Sequence, residues 1–268
     1  MTERRVLITG AGSGLGRALA KRYAAEGFAV ACADIKTDRA EETARLLSGA
    51  GHFALEVDVG VDRSVEAMRE AVRTRWDSID VVINNAGVGS GGGLMDATMD
   101  EWHWMLNINL LGVVRGCRAF VPWLTEQRRG HIINVASFAA LAGAPNIMTY
   151  GVAKGGVVTL SEQLRAELHD TGIKVSVVCP SFFKTNLLEN FRGNDLRMKA
   201  IAGKLMDASS VSADDVADHV YEAARRGRFM ILPTPGEPLR WRLKRFAPET
   251  YFKQLLKMTR ARGAVVKG

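Results

Sequence analysis

Short apolar runs rich in β-branched residues alternate along this chain with longer amphipathic stretches, and this alternation constrains the fold most strongly. Strands separated by helices imply parallel pairing, because a parallel connection needs a crossover long enough to hold a helix. The predicted strands cover residues 4–9, 28–34, 52–58, 79–84, 130–136, 173–179 and 228–232. The predicted helices cover residues 15–26, 38–49, 62–75, 100–127, 149–171 and 212–226. The sequence therefore predicts an α/β fold with a doubly wound parallel sheet and helices on both of its faces.

The length of 268 residues fits one large domain with an extension better than two full domains. We expect a nucleotide-binding and catalytic domain over 1–236, which includes a helical lid insertion over about 181–210. The lid is predicted from apolar side chains set among charges, namely Leu187, Leu188, Phe191, Leu196, Met198, Ile201, Leu205 and Met206. A basic, amphipathic C-terminal extension is expected over 237–268, beyond the turn signal Pro233-Thr-Pro-Gly236.

Composition excludes several classes of protein. No apolar run approaches the roughly 20 residues that span a bilayer, and the N-terminus does not resemble a signal peptide. The three cysteines Cys32, Cys117 and Cys179 have apolar neighbours and no metal-binding spacing, which predicts buried free thiols in the cytoplasm. The histidines show no ligand spacing either, so no metal site is predicted.

A glycine-rich turn follows the first predicted strand, with the spacing Gly10-x-x-x-Gly14-x-Gly16. Glycines allow a sharp turn that approaches a pyrophosphate, whose charge lies at the positive end of the next helix. Asp34 ends the second strand, where a carboxylate accepts hydrogen bonds from the adenosine ribose and repels a 2′-phosphate. The pattern predicts a Rossmann-like nucleotide site that prefers NAD, with NADP as the less favoured cofactor. Lys36 could partly offset that repulsion, and a helix N-cap is the alternative role for Asp34.

The pair Tyr150 and Lys154 begins a long amphipathic stretch, and a separation of four residues puts both side chains on one helix face. A nearby ammonium stabilises a phenolate, and about 4 kcal/mol would bring the tyrosine pKa from about 10 to near 7. Ser137 ends the apolar strand just upstream, from where its hydroxyl could hold a substrate oxygen beside the phenol. An incidental pair on a solvated helix is the alternative for Tyr150 and Lys154.

The ordered motifs together resemble the short-chain dehydrogenase/reductase family over residues 4–232. They are Thr9-Gly-x-x-x-Gly-Leu-Gly16, Asn84-Asn-Ala-Gly87, Asn109 within Asn-Ile-Asn-Leu-Leu-Gly, Ser137 and Tyr150-x-x-x-Lys154. The resemblance implies that Tyr150 is the general acid/base and that Ser137 holds the substrate oxygen. It implies that Lys154 lowers the pKa of the tyrosine and binds the nicotinamide ribose. Asn109, rather than Asn107, would hold a water that links the lysine to solvent.

The resemblance also implies a set of cofactor contacts. Cys179-Pro-Ser-Phe-Phe-Lys-Thr185 matches the family's segment that closes over the nicotinamide, and Thr185 would contact the carboxamide. The expected cofactor-binding residues are Gly10, Ser13, Gly14, Leu15, Gly16, Asp34, Asp58, Val59, Asn85, Ala86, Gly87, Tyr150, Lys154, Pro180 and Thr185. For Asn84, a structural role and a ligand contact are both open. Two residues depart from the family pattern: Ser181 replaces the usual glycine, and Ala136 replaces a frequent serine.

We therefore expect an oxidoreductase that interconverts a secondary alcohol and a ketone. The apolar lid, with Phe138, Leu141 and Met148 beside the catalytic residues, favours a steroid-, terpenoid-, aromatic- or acyl-chain-like substrate. NAD use favours oxidation. A non-catalytic sensor or scaffold that binds dinucleotide is the alternative function. The family resemblance implies a homodimer or a homotetramer.

The net charge of +7 is concentrated in the extension, where residues 239–268 hold nine Lys or Arg and one acid, Glu249. Apolar residues at helical spacing lie between these cations. Three interpretations are open: packing on the core or a partner subunit, peripheral contact with an anionic membrane, or nucleic-acid binding. No nucleic-acid-binding fold accompanies the charge, so we expect no nucleic-acid partner.

Overall fold

The computed structural model describes residues 4–185, 187, 189, 191 and 196–265. Seven parallel strands form one sheet in the order β3-β2-β1-β4-β5-β6-β7. The strands are β1 (Arg4–Thr9), β2 (Phe28–Asp34), β3 (Phe53–Glu56), β4 (Val81–Asn84), β5 (Gly130–Val135), β6 (Ile173–Val178) and β7 (Met230–Ile231). The predicted doubly wound α/β fold is confirmed. The strand order reverses between β1 and β4, and the carboxyl ends of these two strands define the cleft where such sheets bind ligands.

Helices cover both faces of the sheet. They are α1 (Gly14–Ala25), α2 (Thr37–Leu46), α3 (Asp62–Arg75), α4 (Met99–Leu106), α5 (Gly112–Gln127), α6 (Ala139–Ala142), α7 (Met148–Glu167), α8 (Leu196–Asp207), α9 (Ala213–Arg225), α10 (Glu237–Phe246) and α11 (Pro248–Val265). Leu7 faces the core formed with α3, α5 and α7, while its neighbours Val6 and Ile8 face α1, α2 and α9. This alternation is the period of two of a strand that is buried on both faces.

Some predicted boundaries were wrong. The helix expected over 100–127 starts at Met99 and is interrupted by a π-helical turn at Asn107–Leu111. The strand expected over 52–58 is paired only from Phe53 to Glu56, because β3 is an edge strand and only these four residues pair with β2. The expected lid contains the helix α8, whereas Leu188 lies outside the described residues.

The extension after Gly236 forms the two helices α10 and α11. The break between them falls at Ala247, before Pro248, whose ring disfavours a helical conformation in the preceding residue. The three cysteines are free and buried. Across the described part of the chain, no helix combines the length and the apolar character needed to cross a bilayer.

Candidate active site

The glycine turn between β1 and α1 leaves backbone amides available at the edge of the sheet. Gly10 and Gly14 have φ of 68° and 50°, in the left-handed region that glycine adopts readily. Ser13 is the N-cap of α1 and its side chain makes no capping hydrogen bond. The first-turn amides of Gly14, Leu15 and Gly16 have no intrahelical acceptor, as at any helix N-terminus. Such amides and the helix dipole suit a phosphate, so this turn fits the pyrophosphate of a dinucleotide.

Gly16 and Asn85 fix the shape of this turn. A Cβ on Gly16 would lie 2.0 Å from the carbonyl oxygen of Gly10, so only glycine permits this approach. The Asn85 side chain donates to the Thr9 carbonyl over 2.9 Å, and the Thr9 hydroxyl accepts the amides of Asn85 and Ala86. The Asn85 amide group therefore joins β4 to β1 across the reversal in strand order. The structure brings Gly10, Gly16, Asn85 and Ala86 together at one edge of the sheet, and their contact with a cofactor stays a prediction.

Asp34 lies at the carboxyl end of β2, with its carboxylate turned toward the glycine turn. It accepts the backbone amides of Gly12 and Lys36, each over 2.9 Å. A Cβ on Gly12 would lie 2.8 Å from Asp34 Oδ2, which explains why a glycine stands there. The N-cap of α2 is Lys36, so Asp34 is not the cap. Arg39 of α2 interacts electrostatically with Asp34, and its guanidinium donates to Glu189 over 2.7 Å.

Asp58 and Val59 follow β3 at the same edge. The Asp58 carboxylate accepts the Gly60 amide over 2.8 Å, and its backbone amide donates to Ser64. Val59 is buried and packs closely against Gly112, at the start of α5. These bonds hold a turn beyond β3, where the sequence placed adenine contacts.

Lys154 is almost fully buried on α7, and its ammonium donates to the Val135 carbonyl over 2.9 Å. This contact brings the lysine to the end of β5, two residues before Ser137. Burial lowers the pKa of Lys154 to about 8, because the charged form loses hydration. A Cβ on Gly87 would lie 3.3 Å from the Lys154 nitrogen, so this glycine lets the end of β4 approach the lysine.

Tyr150 precedes Lys154 by one helical turn and is partly exposed, while Ser137 is buried beside it. Burial raises the pKa of Tyr150, and a side-chain hydrogen bond with Ser137 opposes that rise. Without a cofactor, the phenolate would lose hydration in this pocket while the Lys154 ammonium is directed to the Val135 carbonyl. The predicted lowering of the tyrosine pKa by Lys154 and an oxidised nicotinamide concerns the cofactor-bound protein and stays a prediction.

Asn109 lies in the π-helical turn, fully buried, and binds both polar groups of the Val88 backbone. Its side chain accepts the Val88 amide and donates to the Val88 carbonyl, each over 2.8 Å. A Cβ on Gly87 would lie 2.9 Å from Asn109 Oδ1, on the side of Gly87 that also meets Lys154. Asn107 points elsewhere and donates to the Gly60 carbonyl. The Asn109 side chain therefore meets the segment after β4 beside Lys154, and the preference for Asn109 over Asn107 stays a prediction.

Asn84 has a structural role among the described contacts. It is buried, and its side chain donates to Asn134 Oδ1 over 2.9 Å, which links β4 to β5. The sequence left this role and a ligand contact open.

The glycine-rich loop after β4 is a part of the site that sequence reasoning missed. The Ser90 hydroxyl lies 2.6 Å from that of Thr149, directly before Tyr150, and both are buried. The Gly92 amide donates to the Asn146 carbonyl over 2.8 Å. A Cβ on Gly91 would lie 2.7 Å from Met198 of the lid. The run Gly89-Ser-Gly-Gly-Gly93 could have indicated this loop in the sequence, because so many glycines imply that other groups approach the backbone closely.

The segment after β6 lies beside Ser137. The Pro180 carbonyl accepts the Phe138 amide over 2.8 Å and lies 3.4 Å from the Ser137 hydroxyl. Ser181 donates its amide to Thr234, and Thr185 follows in a part-buried stretch. Pro180 thus borders Ser137. Among the residues for which the structure gives positions, no group of three or more His, Cys, Asp or Glu could hold a metal ion.

Fold and site together define a nucleotide-binding oxidoreductase. Residues 4–195 match the family model described as short chain dehydrogenase. The chain belongs to the short-chain dehydrogenase/reductase family, as its motifs indicated.

Two curated relatives illustrate the range of the family. The chain is 34% identical over 232 residues to the probable oxidoreductase EphD of Mycobacterium tuberculosis, an alignment that covers 82% of this chain. The matched part is only 39% of that relative's length. The chain is 35% identical over 182 residues to meso-2,3-butanediol dehydrogenase of Serratia marcescens, covering 68% of this chain and 72% of the relative.

Solved structures show the same architecture with either cofactor. A short-chain dehydrogenase/reductase of Burkholderia phymatum in complex with NAD has a TM-score of 0.86 at 30% identity, covering 92% of this chain and 95% of its own. A short-chain dehydrogenase of Sphingobium yanoikuyae in complex with NADPH has a TM-score of 0.77 at 26% identity, covering 93% and 95%. Fold similarity therefore indicates a nicotinamide cofactor without selecting between the two.

Proposed function

We propose that this protein is an NAD-dependent dehydrogenase that interconverts a secondary alcohol and a ketone, with Tyr150 as the general acid/base. The observation that carries the proposal is the convergence of Ser137, Tyr150 and Lys154 at the carboxyl edge of β5. Lys154 reaches the Val135 carbonyl, and Ser137 interacts with the Tyr150 hydroxyl. Family membership supports the reaction class.

The substrate oxygen would be held by the Ser137 hydroxyl and would exchange its proton with the Tyr150 hydroxyl. When bound, NAD supplies the hydride acceptor. In the protein alone, burial raises the pKa of Tyr150 and so disfavours formation of the phenolate that would act as the base. We propose that Lys154 favours the phenolate when it turns from the Val135 carbonyl toward the cofactor ribose, where a cation nearer to the phenol would lower its pKa. Asn109 would hold the water that links Lys154 to solvent.

The preference for NAD is supported by the charges around the adenosine end. The Asp34 carboxylate can accept hydrogen bonds from ribose hydroxyls and would repel a 2′-phosphate. Arg39, which could attract such a phosphate, donates instead to Glu189. The glycine turn with Ser13, Gly14 and Leu15 would bind the pyrophosphate. The proposed remaining contacts are Asp58 and Val59 at the adenine, Gly87 at the ribose, and Pro180 and Thr185 at the nicotinamide.

Two substrate classes compete for the site. The lid side chains Phe191 and Met198 approach the glycine-rich loop beside Tyr150, which favours a large apolar alcohol. The similarity to meso-2,3-butanediol dehydrogenase favours a small diol instead. We propose the large apolar class, acting in the cytoplasm as a homodimer or homotetramer, and the small diol is the second candidate.

The test is the formation of reduced cofactor, followed by its absorbance, with a panel of secondary alcohols. The panel contains steroid, terpenoid, aromatic and acyl-chain alcohols together with 2,3-butanediol, each with NAD and with NADP. Ser137→Ala should lose activity, whereas the exposed Ser48→Ala should keep it. Turnover of apolar alcohols with NAD supports the proposal. Tight binding of reduced cofactor without turnover of any alcohol would favour the sensor or scaffold instead.

A further inference from the structure

The C-terminal helices α10 and α11 expose large apolar side chains. Leu239 is 72% exposed, Phe246 is 81% exposed and Phe252 is 51% exposed. Scattered apolar residues are ordinary on protein surfaces, but these three lie within two consecutive helices. Leu239 and Phe246 are separated by seven residues, which places them on one side of α10, two turns apart.

Hydrogen bonds between the C-terminal helices and α6 determine which face of these helices points outward. The Lys244 ammonium donates to the Leu141 carbonyl of α6 over 2.5 Å. The Tyr251 hydroxyl donates to the Ala142 carbonyl over 2.9 Å, and its side chain is buried. The two helices are therefore docked onto α6 by one face while Leu239 and Phe246 remain exposed.

The two helices that carry these apolar side chains are strongly cationic. Arg242 lies between Leu239 and Phe246 in the stripe, three residues from one and four from the other, and is exposed. Among the side chains of the two helices whose burial the structure describes, the exposed basic ones are Arg240, Arg242, Arg245, Lys253 and Lys257. The acids in the described part of these helices are Glu237, which is buried, and Glu249. An occupant of this surface must offer both negative charge and an apolar interior.

The positive charge and the exposed apolar side chains of α10 and α11 together distinguish between the possible binding partners of this surface. A second copy of this chain would oppose cations to cations at a two-fold contact, which is unfavourable. A nucleic acid would satisfy the cations but would leave Leu239 and Phe246 exposed to phosphate and water. An anionic bilayer surface has head groups for the cations and acyl chains for the apolar side chains. We propose that α10 and α11 dock the protein on an anionic lipid membrane, with Leu239 and Phe246 inserted at the head-group boundary.

The experiment is sedimentation of the full protein with vesicles. One set of vesicles is phosphatidylcholine alone, and the other contains equal parts of phosphatidylcholine and phosphatidylserine. Each cation near an anionic surface changes partitioning by about fivefold, so several together should favour the anionic vesicles by at least roughly a hundredfold. Added salt should release the protein, because the Debye length falls to about 3 Å at 1 M salt.

Two pairs of matched variants locate the surface. Leu239→Ser with Phe246→Ser should weaken binding to anionic vesicles at least about tenfold, from the lost apolar burial. Its control is Met95→Ser, an apolar residue that is 93% exposed elsewhere, which should leave binding unchanged.

Arg242→Gln with Lys253→Gln should weaken binding about twentyfold. Lys21→Gln with Arg63→Gln removes two exposed cations outside the extension and should change it little. All altered side chains are exposed, so folding should survive, and circular dichroism checks this.

Four results would overturn the proposal. The first is equal or absent sedimentation with the two kinds of vesicle. The second is an equal loss of binding in the control variants. The third is a dimer that dissociates on Leu239→Ser with Phe246→Ser, because that shows a second copy on this surface. The fourth is binding to a DNA duplex that competes with the vesicles and is insensitive to Leu239→Ser with Phe246→Ser, because that makes nucleic acid the partner.

Discussion

His131 gives the protein an acid-sensitive stability that can be calculated from its surroundings. It is buried near the amino end of β5, and its Nε2 atom lies 2.8 Å from the Ser176 hydroxyl. That hydroxyl donates to the Arg228 carbonyl over 2.6 Å, so its oxygen accepts from His131 Nε2. Nε2 therefore carries a proton, and in the neutral ring this is the Nε2–H tautomer. Burial, with a smaller contribution from Lys174, lowers the pKa of His131 from 6.5 to about 4.

A lowered pKa in the folded state means that the unfolded chain takes up the proton first. Between pH values of about 6.5 and 4 the unfolded state is protonated at His131 and the folded state is not, so stability falls as the pH falls. The two pKa values give a loss of about 2 kcal/mol on going from about pH 7.5 to about pH 5. That loss is a large fraction of an ordinary stability of about 5–15 kcal/mol.

The assay is urea unfolding of the unmodified protein and of His131→Gln at both pH values. His131→Gln can still bond Ser176 but cannot titrate, so the loss of unfolding free energy on acidification should be about 2 kcal/mol smaller. The exposed His169→Gln is the matched control and should behave as the unmodified protein does. Equal acid-dependent losses in the unmodified protein and in His131→Gln would refute the assignment of a buried neutral histidine.

Three further variants test the proposed cofactor site and the glycine-rich loop after β4. Asp34→Ala should raise the KM for NAD and lower the KM for NADP by at least about tenfold each, since roughly 1.4 kcal/mol corresponds to tenfold. Parallel assays with both cofactors measure the two KM values, and an unchanged ratio between them would contradict the prediction. Gly16→Ala brings a Cβ to 2.0 Å from the Gly10 carbonyl, and fluorescence titration should show loss of NADH binding. A normal dissociation constant would show that the turn is not the site. Gly91→Ala displaces Met198, so kcat/KM should fall for large alcohols more than for 2,3-butanediol, and an equal fall would argue against a glycine-lined substrate pocket.

The sequence predicted the parts of the fold that depend on local pattern. Apolar β-branched runs located all seven strands, because a parallel strand buried on both faces must be apolar throughout. Positions at strand ends located Asp34, Asn85 and Ser137, since the carboxyl edge of such a sheet is where ligands bind. The spacing of Tyr150 and Lys154 was sufficient to place them one helical turn apart.

Features that depend on contacts between distant residues were not predictable. The π-helical turn at Asn109 occurs together with two hydrogen bonds between Asn109 and Val88, and no helical period in the sequence shows either feature. The raised pKa of Tyr150 depends on burial, and the spacing of Tyr150 and Lys154 carries no information about hydration. Docking of the extension on α6 through Lys244 and Tyr251 joins residues more than a hundred positions apart.

The central claim is that the Tyr150 hydroxyl transfers the proton. The most direct test measures kcat for an alcohol substrate and the dissociation constant of NADH in Tyr150→Phe. Tyr221→Phe is the matched control, because that hydroxyl bonds Glu26 away from the cleft. We predict that Tyr150→Phe lowers kcat by about 10²–10⁴ while NADH binding changes little, and that Tyr221→Phe keeps its activity. A Tyr150→Phe enzyme with a kcat near that of the unmodified protein would contradict the claim.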